Sequence, residues 1–294
     1  MGSSKKRGKV GPQKRYAAHN YLFFSFAFAF ILTAPFFFFD LPLSSLAGFG
    51  VATVYIFVPA GVTLLIYNKT LMDRIELAIL PNRGFLLAIF LPLALGGMAL
   101  WVSTLLGETG FSLGLEEVIA RLPEEQRPAS GSGSPFWGAA AQSLLAGFSI
   151  NAFFALGEEL GWRGLLFNEW IKSGFWKLSL LTGLCWGLWW APLVALGQHY
   201  PGYPLEGVAL ILAWAILASP LLTWVRILGR SVAATALMRG LLVSVSGISV
   251  LPLVHASPLG SGMMGIAGLL VLALADVLLL IGLKVKPLGL PERH

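Results

Sequence analysis

Eight long apolar runs, most of them close to 20 residues, restrict the fold of this chain more than any other feature. A helix of about 20 apolar residues crosses the hydrocarbon core of a membrane. Of the 294 residues, 56% are hydrophobic and only 12% are charged, too few to cover a water-soluble domain. We predict an all-α polytopic membrane helix bundle with about eight transmembrane helices. The runs are 20–38, 46–67, 85–106, 136–157, 178–197, 205–224, 231–251 and 263–283.

Cysteine and charge content exclude several other classes of protein. Cys185 is the only cysteine, so the chain has neither a disulfide framework nor a thiolate metal cluster. The net charge of +6 does not indicate nucleic-acid binding, because the basic residues lie at helix ends and no groove-reading module is visible. We therefore expect membrane lipids and other membrane protein subunits as partners, and no nucleic acid.

Basic residues predict how the bundle lies in the membrane. With eight spans nearly all of them fall on one face, which identifies that face as cytoplasmic. We expect a bacterial plasma (inner) membrane protein with a basic cytoplasmic arm at 1–19, a bundle at 20–284 and a short cytoplasmic tail at 285–294. The acidic stretch 107–135 falls on the external face, where we predict a short amphipathic surface helix followed by a linker.

Ionisable residues inside the apolar runs carry the functional information. A charge at mid-bilayer costs about 2.5–3.5 kcal/mol or more, so each one needs a reason. Glu158, Glu159 and Arg163 are expected at the inner end of the fourth span, Arg239 in the seventh and Asp276 in the eighth. The i,i+4 spacing of Glu159 and Arg163 predicts a structural ion pair. That pairing leaves Glu158 without an obvious local partner.

Two further polar residues are open to more than one interpretation. Asn151 lies two turns before Glu158 on the same helix face, which indicates a polar stripe pointing into the bundle. Asp276 could belong to a proton relay or ion site, or could pair with Arg239 or a hydroxyl. The cluster of Trp186, Trp189 and Trp190 fits core packing better than stacking on a lipid, pigment or peptide.

Three segments together resemble the motifs of a known family. Residues 157–164 read G-E-E-L-G-W-R-G, residues 186–192 read W-G-L-W-W-A-P, and residues 231–243 read S-V-A-A-T-A-L-M-R-G-L-L-V. In order and spacing they resemble the motifs E-E-x-x-x-R, W-G-L-W-H-x-P and a Ser-led helix ending in H-x-x-x-N. These motifs belong to the CAAX protease and bacteriocin-processing (CPBP) family of intramembrane proteases. The resemblance implies a helical membrane peptidase.

Departures from these motifs argue against catalysis. In the family, the first glutamate and the second-motif histidine prepare a water for attack on the peptide carbonyl, with a metal often invoked. Glu158, Glu159 and Arg163 match the first motif, so the two glutamates are vestigial catalytic residues. The two histidine positions hold Trp190 and Arg239, and the asparagine position holds Val243. Tryptophan offers no ligand lone pair, and arginine stays protonated. We expect no metal and no cofactor.

The histidines of the chain do not supply a replacement in this interpretation. His19 precedes the first span and His294 is the last residue. His199 and His255 are predicted in outer loops, far from Glu158. Without an imidazole inside the membrane, the catalytic centre of the family cannot be assembled.

The sequence therefore favours a non-catalytic pseudoprotease that acts as a binding or structural subunit of a membrane complex, with room for a peptide or lipid ligand. An active CAAX-type intramembrane endopeptidase using Glu158 is the alternative, and a transporter relying on Asp276 and Arg239 is a third. We also predict an ion pair between Arg239 and Glu158, in which the forked guanidinium donates to the carboxylate oxygens.

Overall fold

The computed structural model describes residues 17–67, 76–79, 82–107, 110–115, 119 and 135–285. Most of the predicted surface helix and linker at 107–135, and nearly all of the basic arm, lie outside these residues. A π-helical turn (Leu160–Leu165) and a 3₁₀ turn (Ile171–Ser173) lie in the part of the chain where the sequence predicts the fourth span and the residues that follow it. The α-helices are α1 (Ala17–Phe38), α2 (Leu46–Tyr67), α3 (Arg83–Leu106), α4 (Pro135–Phe148), α5 (Ile150–Glu159), α6 (Leu166–Trp170), α7 (Phe175–Ala195), α8 (Pro204–Gly229), α9 (Val232–Ile248) and α10 (Ile266–Val285).

The apolar runs form the predicted helical bundle. Within the described part of the chain, seven helices are long and apolar enough to cross a membrane, and α9 is a shorter apolar helix of 17 residues. Capping residues determine where several of these helices begin or end. Asn82 accepts hydrogen bonds from the backbone N–H groups of Gly84 and Phe85 at the start of α3. Ser231 caps α9 in the same way, and Arg230, in the left-handed conformation, ends α8.

The fourth span continues well beyond its predicted end at residue 157. One helix of 39 residues runs over Pro135–Ser173 and combines α4, α5, the π turn, α6 and the 3₁₀ turn. Glu158, Glu159 and Arg163 therefore lie inside this helix and not at its end. At about 1.5 Å per residue, roughly 20 Å of helix follows Glu158. The charged residues interrupt the apolar run but not the helix, because they find partners inside the bundle.

Helices α7, α8 and α9 form the centre of the bundle. In the most apolar stretch of each helix, 61% of the residues of α7 and 56% of those of α8 are buried inside the protein. The corresponding share is 28% in α1, α2, α3 and α10. The short α9 packs against α3, α4, α5 and α8, so it is enclosed although it is too short to be an outer span. The polar residues of the first, second and third motifs all lie on elements that meet at this centre.

A two-stranded sheet, which the all-α prediction did not include, joins two loops at one end of the bundle. Strand β1 (Gly110–Phe111) pairs antiparallel with β2 (Leu253–Val254), with Gly110 opposite Val254 and Phe111 opposite Leu253. Helices α3, α7 and α9 end on this side, and α8 and α10 begin there. The sheet therefore ties the loop after α3 to the loop before α10, and we call this the sheet end of the bundle.

The packing of α3 against α9 gives a matched pair of predictions. A Cβ at Gly96 would lie 2.6 Å from Cβ of Val245, whereas a Cβ at Gly97 would meet nothing within 4 Å. Both substitutions to alanine gain about 1 kcal/mol of helix propensity. We expect Gly96→Ala to lower the free energy of unfolding by roughly 1–3 kcal/mol through overpacking, and Gly97→Ala to leave it unchanged or raise it. Thermal unfolding of both purified variants tests this, and equal melting temperatures would contradict it.

Candidate functional site

Two indole groups hold the first motif glutamate. Glu158 is 3% exposed, and its Oε2 accepts hydrogen bonds from Nε1 of Trp186 at 2.8 Å and from Nε1 of Trp190 at 3.0 Å. Positions 186 and 190 are four apart on α7, so both side chains leave the same helix face. Trp190, which the sequence identified only as the loss of a histidine, is therefore a donor to the carboxylate. The i,i+4 pair of indoles was the signal that could have revealed this.

Arg239 lies beside the same carboxylate without hydrogen-bonding to it. Its Nη2 is 3.7 Å from Oε1 of Glu158, within ion-pair range but longer than a hydrogen bond. Its Cζ lies 4.8 Å from the ring centroid of Trp186 and 5.5 Å from that of Trp214. The predicted forked hydrogen bonding is therefore not formed. The indole rings position the guanidinium by cation–π contact, and the indole N–H groups already occupy Oε2.

Glu159 and Arg163 form a tighter pair that also lies against Trp186. Arg163 Nη1 donates to Oε1 of Glu159 at 2.9 Å, and Nη2 donates to the Ser219 hydroxyl at 3.1 Å. The two charged side chains are 0% and 1% exposed. Cζ of Arg163 lies 4.7 Å from the ring centroid of Trp186. Two carboxylates and two guanidinium groups thus surround one indole, with formal charges that cancel.

A third buried arginine supports the π turn that carries Arg163. Arg226 on α8 donates from Nε to the backbone carbonyl of Arg163 at 3.0 Å, and from Nη1 to Glu76 at 2.9 Å. A π turn shifts the backbone hydrogen bonding of a helix by one residue and needs such compensation. Arg226 thereby links the register of the first motif to the end of α8.

A cavity of about 390 Å³ opens beside this cluster at the sheet end of the bundle. Arg239 and Trp214 lie on its wall, and Glu158 does not line it. Val243, at the asparagine position of the third motif, also faces the cavity and is 41% exposed. Arg239, at the histidine position of the third motif, therefore lies on the wall of the cavity and beside Glu158, which does not reach that wall.

His199 lies close to the site, contrary to the predicted distance. Its ring centroid is 5.4 Å from that of Trp190, and its side chain lines the cavity. The chain turns back after α7, with Gly197 at φ +98° and His199 at φ +68°, and this folds the loop over the helix end. Partial loss of solvation, and then the positive charge of Arg239, lower the pKa of the His199 imidazole, although the residue is still exposed at the cavity. The ring is therefore neutral at pH 7.

The remaining predicted polar residues lie apart from Glu158. Asn151 donates from Nδ2 to the Ser244 hydroxyl at 3.2 Å and so connects α5 to α9. Asp276 is half-buried on α10, and its Oδ1 has no hydrogen-bond partner in the described structure. None of the ion pairs found among the described residues joins Asp276 to Arg239, which was one of the partners considered for it. His255 precedes α10, and His294 lies outside the described residues.

The donor set at Glu158 does not fit the metal invoked for the family. Trp186 and Trp190 present N–H groups rather than lone pairs, and Arg239 is cationic. Nowhere in the described ranges do three His, Cys, Asp or Glu side chains come together as metal ligands would. The arrangement can neutralise and anchor a buried carboxylate.

Comparison with known proteins agrees with the three motifs. Fold and site together define a polytopic helical membrane protein with a buried, charge-balanced cluster at its centre. Residues 136–245 match the family model of the type II CAAX prenyl endopeptidases described as Rce1-like. The match covers a little over a third of the chain, from α4 to α9, and it confirms the resemblance to the CPBP family. Among curated proteins, no relative matches the chain.

Proposed function

We propose that this chain is a non-catalytic relative of the CAAX endopeptidases, which binds a ligand or a partner subunit in the membrane. One observation carries the proposal. Both hydrogen bonds to Oε2 of Glu158 come from indole N–H groups, one of them at the histidine position of the second motif. A carboxylate that activates water must accept the proton of that water. Here two indole donors occupy one carboxylate oxygen, and the Arg239 cation lies 3.7 Å from the other.

The enclosure of the glutamates supports the same proposal. Glu158 and Glu159 are 3% and 0% exposed, and neither lines the cavity. A peptide carbonyl must come within about 3–3.5 Å of the attacking oxygen. Trp190 and Arg239 lie where the family has histidines, so the glutamates contribute to packing and charge balance. A subunit role in a complex of the bacterial inner membrane, with both termini cytoplasmic, belongs to this proposal.

Fewer observations support the two alternative functions, an active endopeptidase and a transporter. An active endopeptidase would rely on the retained first motif, Glu158, Glu159 and Arg163, with an unconventional second group. The imidazole of His199 lies near the site, but Trp190 contacts both His199 and Glu158, and no direct contact between these two residues is described. The transporter hypothesis relied on Asp276 acting together with Arg239, and no contact described here joins them.

A cleavage assay tests the proposal. We expect purified wild-type protein in lipid nanodiscs to release no more product from a farnesylated peptide ending in C-a-a-X than the Glu158→Gln variant does. The physical reason is that Glu158 is buried away from the cavity, with two indole donors on Oε2 and the Arg239 cation beside Oε1. A CAAX endopeptidase with intact motifs serves as the positive control. Product formed by the wild type and lost in Glu158→Gln would establish the endopeptidase alternative instead.

A further inference from the structure

The cavity at the sheet end of the bundle combines one cation with apolar walls. None of the residues that line it is acidic, and its basic groups are Arg239 and His199. Most of its remaining surface comes from apolar side chains, among them Ile211, Trp214 and Met264. The volume of about 390 Å³ is within the range of pockets that hold small molecules. At about 30 Å³ for each water-sized group, it holds roughly a dozen heavy atoms.

Arg239 has hydrogen-bonding capacity that the protein does not use. Only 7% of the residue is exposed, and its Nε is buried without a partner. No hydrogen bond joins its guanidinium to any residue that the structure describes. Its ionic contact with Glu158, at 3.7 Å, is too long for one. A buried guanidinium with open donors at the wall of a cavity favours a ligand that accepts hydrogen bonds and carries negative charge.

The other polar groups of the cavity are mostly occupied within the protein. The Ser246 hydroxyl donates to the Leu242 carbonyl, and the Ser257 and Ser261 hydroxyls accept from backbone N–H groups of their own loop. Each hydroxyl keeps part of its capacity, the Ser257 and Ser261 groups as donors and Ser246 as an acceptor, but three such groups are few for the several amides of a peptide. An unbranched hydrocarbon chain has no such requirement, and the apolar wall suits it.

We propose that this cavity binds a single-chain amphiphile with a carboxylate head, such as a medium-chain fatty acid. The carboxylate accepts hydrogen bonds from the forked donors of Arg239, and the hydrocarbon chain lies against Trp214 and its apolar neighbours. Neutral His199 can donate one further hydrogen bond. Because Glu158 already balances the charge of Arg239, a singly charged head adds less uncompensated charge to the site than a phosphate monoester would. The inference deepens the proposed function by naming the chemical class of the ligand.

Competition binding tests this on the full-length protein. With radiolabelled laurate and protein in nanodiscs, we expect saturable binding at one site per chain. Unlabelled laurate should compete at least tenfold better than methyl laurate, which has the same chain but no carboxylate. Equal competition by the two compounds, or binding that does not saturate, would overturn the proposal. Stronger competition by a short peptide with a free C-terminus would assign the site to peptides instead.

Two substitutions locate the binding in the cavity even if changes at Arg239 harm folding. Val243→Phe adds a ring to the cavity wall and should weaken laurate binding at least tenfold. Val54→Phe is the matched control, because Val54 is 56% exposed on α2 and is not a lining residue. Equal loss, or no loss, in the two variants would refute the placement. Laurate binding by Glu158→Gln is measured beside the cleavage assay of the same variant. The ligand proposal and the proposed non-catalytic function can then be tested independently, because either result can fail without the other.

Discussion

Replacing Arg163 with methionine is expected to lower the free energy of unfolding by about 3–5 kcal/mol, the largest loss of any substitution considered for this chain. The change leaves the Glu159 carboxylate completely buried and without its cation, since the pair is 0% and 1% exposed. The carboxylate Oε2 already has no hydrogen-bond partner within the described structure, so no hydrogen bond replaces the lost ion pair. Thermal or denaturant unfolding of the detergent-purified variant measures the loss.

Two companion variants separate the ion pair from the other contacts of Arg163. Ser219→Ala removes only the 3.1 Å hydrogen bond from Arg163 Nη2 and should cost about 1 kcal/mol. Adding Glu159→Gln to Arg163→Met removes the uncompensated charge and should restore part of the loss. If Arg163→Met were no more destabilising than Ser219→Ala, the pair would not contribute as described.

Arg239→Met is expected to cost about 3 kcal/mol, the lower end of the range for breaking a buried pair. Glu158 keeps both indole donors when Arg239 is removed, and the pair has no hydrogen bond to lose. The lost cation–π contacts with Trp186 and Trp214 add to the effect. Unfolding measurements should therefore place Arg239→Met between Ser219→Ala and Arg163→Met. A loss larger than that of Arg163→Met would contradict this order.

Hydrophobicity was sufficient to predict most of the architecture. The runs at 46–67 and 85–106 match α2 and α3 within two residues, because lipid-facing helices have no other way to satisfy their backbone. The fourth span was cut short because hydropathy treats each charged residue as a boundary. Glu159 and Arg163 neutralise each other inside the helix, so the helix continues to Ser173. The Glu159–Arg163 ion pair can lie inside the bundle only because the surrounding helices pack around it, and hydropathy does not include that packing.

The sequence predicted which residues form the site but not how they interact. Motif spacing indicated which positions of α5, α7 and α9 come together, and Glu158, Trp190 and Arg239 do meet. The spacing did not indicate how they interact, because an indole was judged only as a missing ligand. The approach of His199 depends on a turn with two residues at positive φ, which a hydropathy pattern does not reveal.

A double-mutant cycle on Glu158 and Arg239 tests most directly whether a structural ion pair has replaced the catalytic site. The free energy of unfolding is measured for the wild type, Glu158→Gln, Arg239→Met and the double variant. If the pair has this role, each single substitution destabilises the protein, and the double variant loses clearly less than the sum of the two. Additive losses would contradict it, as would a Glu158→Gln variant more stable than the wild type, since replacing a strained catalytic group commonly stabilises an enzyme.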